Sequence, residues 1–241
     1  MIIIRRVWEI PGGLYDRSEK RIAVLPIGSV ERHGDHLPLG TDTIEAQYVA
    51  EKIAERLNAD LFPPIWYGST RSMRGFPGSI DIDPDVLYAY VRNILREISR
   101  NGYRLIVVVN GHGGNSHIIR LAARETAYQY GAHIIVFDWW SELAQEERKR
   151  LFASPGHAGE DETSVMLYIA PHTVDMSLAK THLEKPLNIS LFSRSYDEKL
   201  YPEALLGDAV KGDAERGRAW LEKVVEDAVN KILEAMRILG I

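Results

Sequence analysis

The sequence predicts an α/β protein built on a mostly parallel sheet with helices on both faces. Three observations carry this. Short uncharged, β-branched runs such as Leu105-Ile106-Val107-Val108-Val109 alternate with segments of amphipathic helical period. Each run leads into a polar stretch and then into another helical pattern, the order of βα units. The residues able to do chemistry follow those runs directly, where ligands of parallel sheets collect.

In chain order, Arg21–Ile27 reads as the first buried strand, and a polar loop follows it to Asp42. A helix is predicted from Thr43, with Ile44, Tyr48, Ile53 and Leu57 on one face and Glu51, Lys52 and Glu55 on the other. Asn58-Ala59-Asp60 ends it, and Leu61–Ile65 is a short extended piece. Tyr67–Ser79 is a long polar, glycine-rich loop of the kind that forms lids and binding edges. Asp83 then caps a helix with Pro84 in its first turn. Val86, Leu87, Tyr90, Val91, Ile94, Leu95 and Ile98 give its stripe, and Asn101-Gly102 stops it. Arg104–Val109 is the clearest strand, followed by the turn Asn110–Asn115 and a helix from Ser116 to Tyr130. His133–Asp138 is a further strand, and Ser141 caps a charged helix through Arg150. A second polar loop covers 154–162, with a helix from Thr163 to Ile169. Residues 171–213 lack a period and read as irregular, and the chain closes with a helix from Glu215 to Leu239. With no repeat and no linker, residues 1–241 read as one domain.

Composition narrows the function classes. Apolar residues at 45% and charged residues at 26% suit a soluble globular chain. A net charge of −5 gives no electrostatic case for binding nucleic acid or an anionic membrane. No cysteine is present, which removes disulfides, thiolate catalysis and thiolate zinc sites. The apolar start, Met1–Ile4, is too short for a signal peptide, and no segment approaches the roughly 20 apolar residues of a membrane helix. The chain reads as cytoplasmic.

Three constellations carry chemistry. Glu31, His33, Asp35, His36 and Asp42 fall within one irregular, glycine-bearing loop. A helix or strand would scatter such side chains, whereas a tight loop can aim several at one point. Their oxygen and nitrogen donors suit Zn²⁺, Mn²⁺ or Fe²⁺. Asp42 either bridges two cations or caps the helix that follows it. Asp35 and His36 are supporting groups or simply polar loop residues. Around His112, the glycines of Asn110–Asn115 either cradle an anion at a helix start or bring His112 and backbone N–H groups to a metal site. In the third constellation His157 is a candidate acid or base. Glu162 is a candidate ligand and catalytic carboxylate, Glu160 is open, and Asp161 reads as a first-turn helix acid. Trp139 and Trp140 are either pocket wall or core. Arg71 and Arg74 are either anion contacts or solvated loop residues.

Pro26–Asp42, Asn110–Asn115 and His157–Ser164 together resemble the three ordered signatures of the creatininase (creatinine amidohydrolase) family, over about residues 23–176. The resemblance implies a three-layer α/β/α sandwich, a homo-oligomer, and a two-metal site that hydrolyses non-peptide C–N bonds. It implies that Glu31, Asp42 and His112 hold one metal, that His33 and Asp42 hold the second, and that His157 protonates the departing amine. Creatininase carries a metal-binding glutamate where this chain has Gly114, and another carboxylate, Glu162, or water is expected to take its place. Within the family the archaeal formamidopyrimidine deformylase branch is the expected relative. That branch implies Fe²⁺ and a phosphorylated pyrimidine nucleotide; on the reading of the loops, Arg71, Arg74, Gly113, Gly114, Asn115 and Trp140 are the expected substrate contacts. A creatininase-type cyclic amidase, a peptidase of a mycofactocin precursor, and a non-catalytic binding protein are the alternatives.

Overall fold

The computed structural model describes residues 5–19 and 22–241. Met1–Ile4 and Arg21, which entered the expectations above, lie outside the described residues. In chain order the strands are β1 (Arg5–Arg6), β2 (Ile22–Ile27), β3 (Asp60–Leu61), β4 (Leu105–Asn110), β5 (His133–Asp138), β6 (Thr181–His182) and β7 (Gly207–Asp208). The helices are α1 (Gly12–Asp16), α2 (Thr41–Leu57), α3 (Pro84–Arg100), α4 (Ser116–Tyr130), α5 (Trp139–Glu142), α6 (Gln145–Leu151), α7 (Glu160–Ile169), α8 (Arg194–Leu200) and α9 (Ala214–Leu239). Strands β1 to β5 form one sheet in the order β1-β3-β2-β4-β5, with every pairing parallel. β6 and β7 make a separate antiparallel pair.

Alternation along the strands builds the two outer layers. Ile22, Val24, Leu105, Val107 and Val109 face a core shared with α2 and α9. Ala23, Leu25, Ile27, Ile106 and Val108 face the opposite way, against α3 and α4. Both faces of β2 and β4 are therefore covered, which is why these strands read as unbroken apolar runs. Each fully buried Val, Leu or Ile contributes about 1.5–3 kcal/mol to this packing. The architecture is the expected α/β/α sandwich. No described helix is long and apolar enough to cross a membrane.

Several local expectations change. Helix α2 begins at Thr41, so Asp42 lies inside its first turn and does not cap it. Its buried stripe is Ala46, Val49, Ala50, Ile53 and Ala54, while Ile44, Tyr48 and Leu57 are half-buried. Small residues let α2 lie close to the sheet. On α3, Leu87, Val91, Leu95 and Ile98 are buried, but Val86 and Tyr90 face outward. Asp83 occupies the cap position of α3, yet its carboxylate accepts from Arg71 instead of a backbone N–H. The helix expected from Ser141 to Arg150 is two helices. Ala144 takes a left-handed conformation between them, and its N–H donates to Asp227 of α9. That break sinks Leu143 into the core. Helix α7 starts three residues early, at Glu160.

Candidate metal centre

The loops after β2 and β4 leave the sheet on the same edge and meet the first turns of α2 and α7. Asp42, at the start of α2, is the meeting point. Its Oδ1 lies 3.0 Å from His33 Nε2, and its Oδ2 lies 2.9 Å from His112 Nδ1. The Ser29 hydroxyl donates to the same Oδ2 at 2.6 Å. Glu31 Oε1 stands 3.4 Å from His112 Nδ1 and 3.7 Å from His157 Nδ1. Glu162 Oε2 is 3.7 Å from His33 Nε2. Besides a set of Glu31, His33 and His157, two donor sets result, Glu31–Asp42–His112 and His33–Asp42–Glu162, each with its atoms within 4.8 Å of one another. Asp42 belongs to both, one oxygen toward each histidine.

Every histidine in the cluster is fixed in the same way. His33 Nδ1 faces the Glu31 carbonyl at 3.1 Å, His112 Nε2 faces the Ser69 carbonyl at 2.8 Å, and His157 Nε2 faces the Arg32 carbonyl at 2.9 Å. A carbonyl only accepts, so the nitrogen facing it carries the proton, and in a neutral ring the other nitrogen presents a lone pair. When the rings are neutral, all three lone pairs point into the carboxylate cluster. A backbone carbonyl behind each imidazole is the usual way a metal-binding histidine is oriented. Glu31 Oε2 is buried and has no protein partner. The orphaned oxygen, the aimed lone pairs and the shared carboxylate fit divalent cations.

Electrostatics point the same way. Burial and then the Asp42 charge push Glu31 up to about 7, against the pull of His112. Burial raises Glu162 to about 8 despite His33. Burial opposes charging of His33 and His112, but Asp42 lifts His33 to about 10, and Glu31 with Asp42 lifts His112 to about 9. Burial would raise Asp42 too, yet the two histidines hold it well below the carboxylate range. Protons on His33 and His112 thus supply the positive charge the carboxylates require. Burial and the His33 charge depress His157 to about 3, so it sits neutral, with Nδ1 unprotonated.

The supporting residues explain how three distant stretches meet. Asn110, at the end of β4, donates to the His112 carbonyl at 2.8 Å and to Asp138 at 2.7 Å. Asn115, expected at the substrate, has both ends of its amide engaged: Oδ1 accepts from Ser69 N and Nδ2 donates to the Gly28 carbonyl, each at 2.9 Å. It ties the loops together. A Cβ on Gly111 would lie 2.1 Å from the Asp42 carbonyl oxygen, and one on Gly114 would lie 2.0 Å from that of Ser69. Glycine is obligatory at both places, so position 114 cannot carry the glutamate found in creatininase. Glu162 comes nearest to filling that role, within the His33–Asp42 set.

Other expectations divide. Glu160 accepts from Ala153 N and Ser154 N at 3.0 Å and pairs with Arg216. Asp161 accepts from Gly156 N at 2.9 Å and pairs with Arg148. Both brace the loop that presents His157. Trp139 is buried against Trp220, whereas Trp140 borders Gly113. Arg71 is already paired with Asp81 and Asp83, at 2.8 and 2.9 Å. Asp35 binds Arg32 and Lys180 at the surface, and His36 Nε2 meets Thr163 Oγ1 at 2.8 Å, joining the first loop to α7. Ser29, Asn110, Glu45 and Tyr201 escaped the sequence reading. Glu45, one turn beyond Asp42, is buried with Oε1 unpartnered, and burial, Glu162 and Asp42 together push its carboxyl well above the usual carboxylate range.

A parallel sheet with histidines and carboxylates gathered at one edge defines a metal-dependent hydrolase site. The creatinine amidohydrolase family pattern matches residues 14–232. Creatinine amidohydrolase of Pseudomonas putida is 30% identical over 67% of this chain and 69% of its own length. A mycofactocin precursor peptide peptidase of Mycolicibacterium smegmatis is 34% identical over 68% of this chain and 66% of its own. The 2-amino-5-formylamino-6-ribosylaminopyrimidin-4(3H)-one 5'-monophosphate deformylase of Methanothermobacter thermautotrophicus is 35% identical over 43% of this chain and 45% of its own. A solved creatininase described with Mn superposes with a TM-score of 0.84 at 27% identity, covering 95% of this chain and 98% of that one. The chain belongs to the creatininase family. It is a metal-dependent amidohydrolase.

Proposed function

We propose that this enzyme removes a formyl group from a formylaminopyrimidine ribonucleotide, releasing formate, with two divalent cations of which Fe²⁺ is the favoured metal. The observation that carries the hydrolytic part is the pair of donor sets sharing Asp42, with His157 aimed into them. Glu31, Asp42 and His112 would hold one cation, and His33, Asp42 and Glu162 the other. The cations supply Lewis-acid polarisation of the scissile carbonyl and acidification of water. His157, fixed at Nε2 by the Arg32 carbonyl, takes a proton at Nδ1 and returns it to the departing nitrogen.

The formamide substrate is supported by the match to the archaeal deformylase and by Gly114, which departs from creatininase. Trp140, beside Gly113, would flank the pyrimidine. With Arg71 held by two carboxylates, contact with the phosphate falls to Arg74. Exposed apolar side chains on α3 and α4, including Val86, Tyr90, Leu121 and Tyr128, support a homo-oligomer. The longer match to the mycofactocin peptidase favours a second reading, cleavage of a short peptide.

The test is direct. Cation-loaded protein given the formylaminopyrimidine ribonucleotide is expected to release formate. No formate above a His112→Ala control overturns the deformylase reading, and a new amino terminus from the mycofactocin precursor peptide establishes the second.

A further inference from the structure

Tyr201 lies in the stretch without sequence period, yet it reaches the centre of the site. Its ring meets that of His157 edge-on, with centroids 5.7 Å apart and planes at 82°. His157 in turn lies 4.3 Å, ring to ring, from His33. The segment carrying Tyr201 is clamped to both neighbouring loops. Gly34 N donates to the Ala204 carbonyl at 2.8 Å, and Leu206 N donates to the His157 carbonyl at 2.8 Å. Ala204 holds a left-handed conformation at φ 51° while its N–H closes a turn on the Tyr201 carbonyl. For a residue with a Cβ that conformation costs about 1–2 kcal/mol, so the turn is held by its surroundings.

The phenol itself is only half-buried, and among the described residues no hydrogen bond is found from its hydroxyl. Burial, Asp197, Glu31 and Glu162 all keep it protonated, so it remains a donor. A rigidly placed donor beside the proton-transferring histidine, without a protein acceptor, is suited to a ligand carbonyl or nitrogen. We infer that Tyr201 is a substrate-binding residue whose hydroxyl donates a hydrogen bond to the amide group held beside His157. This rests on the amide-hydrolase reading of the site, though not on which amide is cut.

The probe is acetohydroxamate, a small amide analogue, titrated calorimetrically into Zn²⁺-loaded protein. Tyr201→Phe keeps the ring against His157 and removes only the donor. It is expected to bind the probe about tenfold more weakly, with zinc content unchanged, as for loss of one hydrogen bond to a ligand. Equal affinity in the two proteins overturns the inference alone. Loss of zinc from Tyr201→Phe also overturns it, since the hydroxyl would then be supporting the cation loops. No binding to the unaltered protein overturns the amide-site reading and this inference with it.

Discussion

Three consecutive acids open α7, and they meet different fates. Glu160 and Asp161 are buried beside arginines, Arg216 and Arg148, and accept backbone N–H groups as well. Glu162, one residue on, accepts a single backbone N–H from Ala158 and otherwise faces His33. Glu31 and Asp42 resemble Glu162: both are buried, with histidines where an arginine would stand. The protein completes the charge balance of the first pair itself. It leaves the other three carboxylates dependent on protons or added cations. Burial alone therefore does not separate a structural acid from a functional one; a permanent cation within reach does.

The largest expected effect tests the shared carboxylate. Asp42→Asn removes the charge common to both donor sets, and should lower the rate about a thousandfold, the size of losing a principal electrostatic stabiliser. Elemental analysis should find fewer than one cation per chain. Two cations retained at near-normal rate would show that Asp42 does not join the two sets.

A second pair of variants contrasts the two kinds of acid by urea unfolding of chelator-treated protein. Arg148→Ala strands Asp161 and should cost about 3–5 kcal/mol, as for breaking a buried pair from one side. Glu31→Gln removes a charge whose Oε2 has no partner, and should leave stability unchanged or raised. Equal losses from both would erase the distinction.

A further expectation is a pH dependence. His33 and His112 have folded values raised to about 10 and about 9, so their stabilising contribution is full below their ordinary value of 6.5. It is lost as pH rises through 9 and 10. Glu162, raised to about 8, loses its contribution in the same direction as pH climbs through 8. Chelated protein should therefore lose stability steadily between pH 6.5 and 10, and Mn²⁺ should flatten that decline. A chelated protein equally stable at pH 6.5 and 9.5 would contradict the charge balance drawn here.

Much of the fold was legible because its signals are local. The helix Ser116–Tyr130 and the strand His133–Asp138 fall on the expected residues, since periodicity and a glycine stop specify them without help from elsewhere. The break at Ala144 was not legible, because its N–H is satisfied by Asp227, far along the chain. In the site, Glu31, His33, Asp42 and His112 stood out by residue type beside glycines. Tyr201 did not, because nothing local marks one tyrosine in an aperiodic stretch. Asp42 was ambiguous for a related reason: helix starts favour aspartate whether or not it binds anything, and only the two facing imidazoles settle its orientation.

The glycine at 111 gives the fold a weakness that ligand counting would miss. Asp42 reaches both histidines because its own backbone rests against a position without a side chain. One added methyl there would move the first turn of α2 while every ligand stayed in the sequence. Such a change inactivates the site with Glu31, His33, Asp42, His112 and Glu162 all intact. The side chains absent at 111 and 114 shape the site as much as the ligands do.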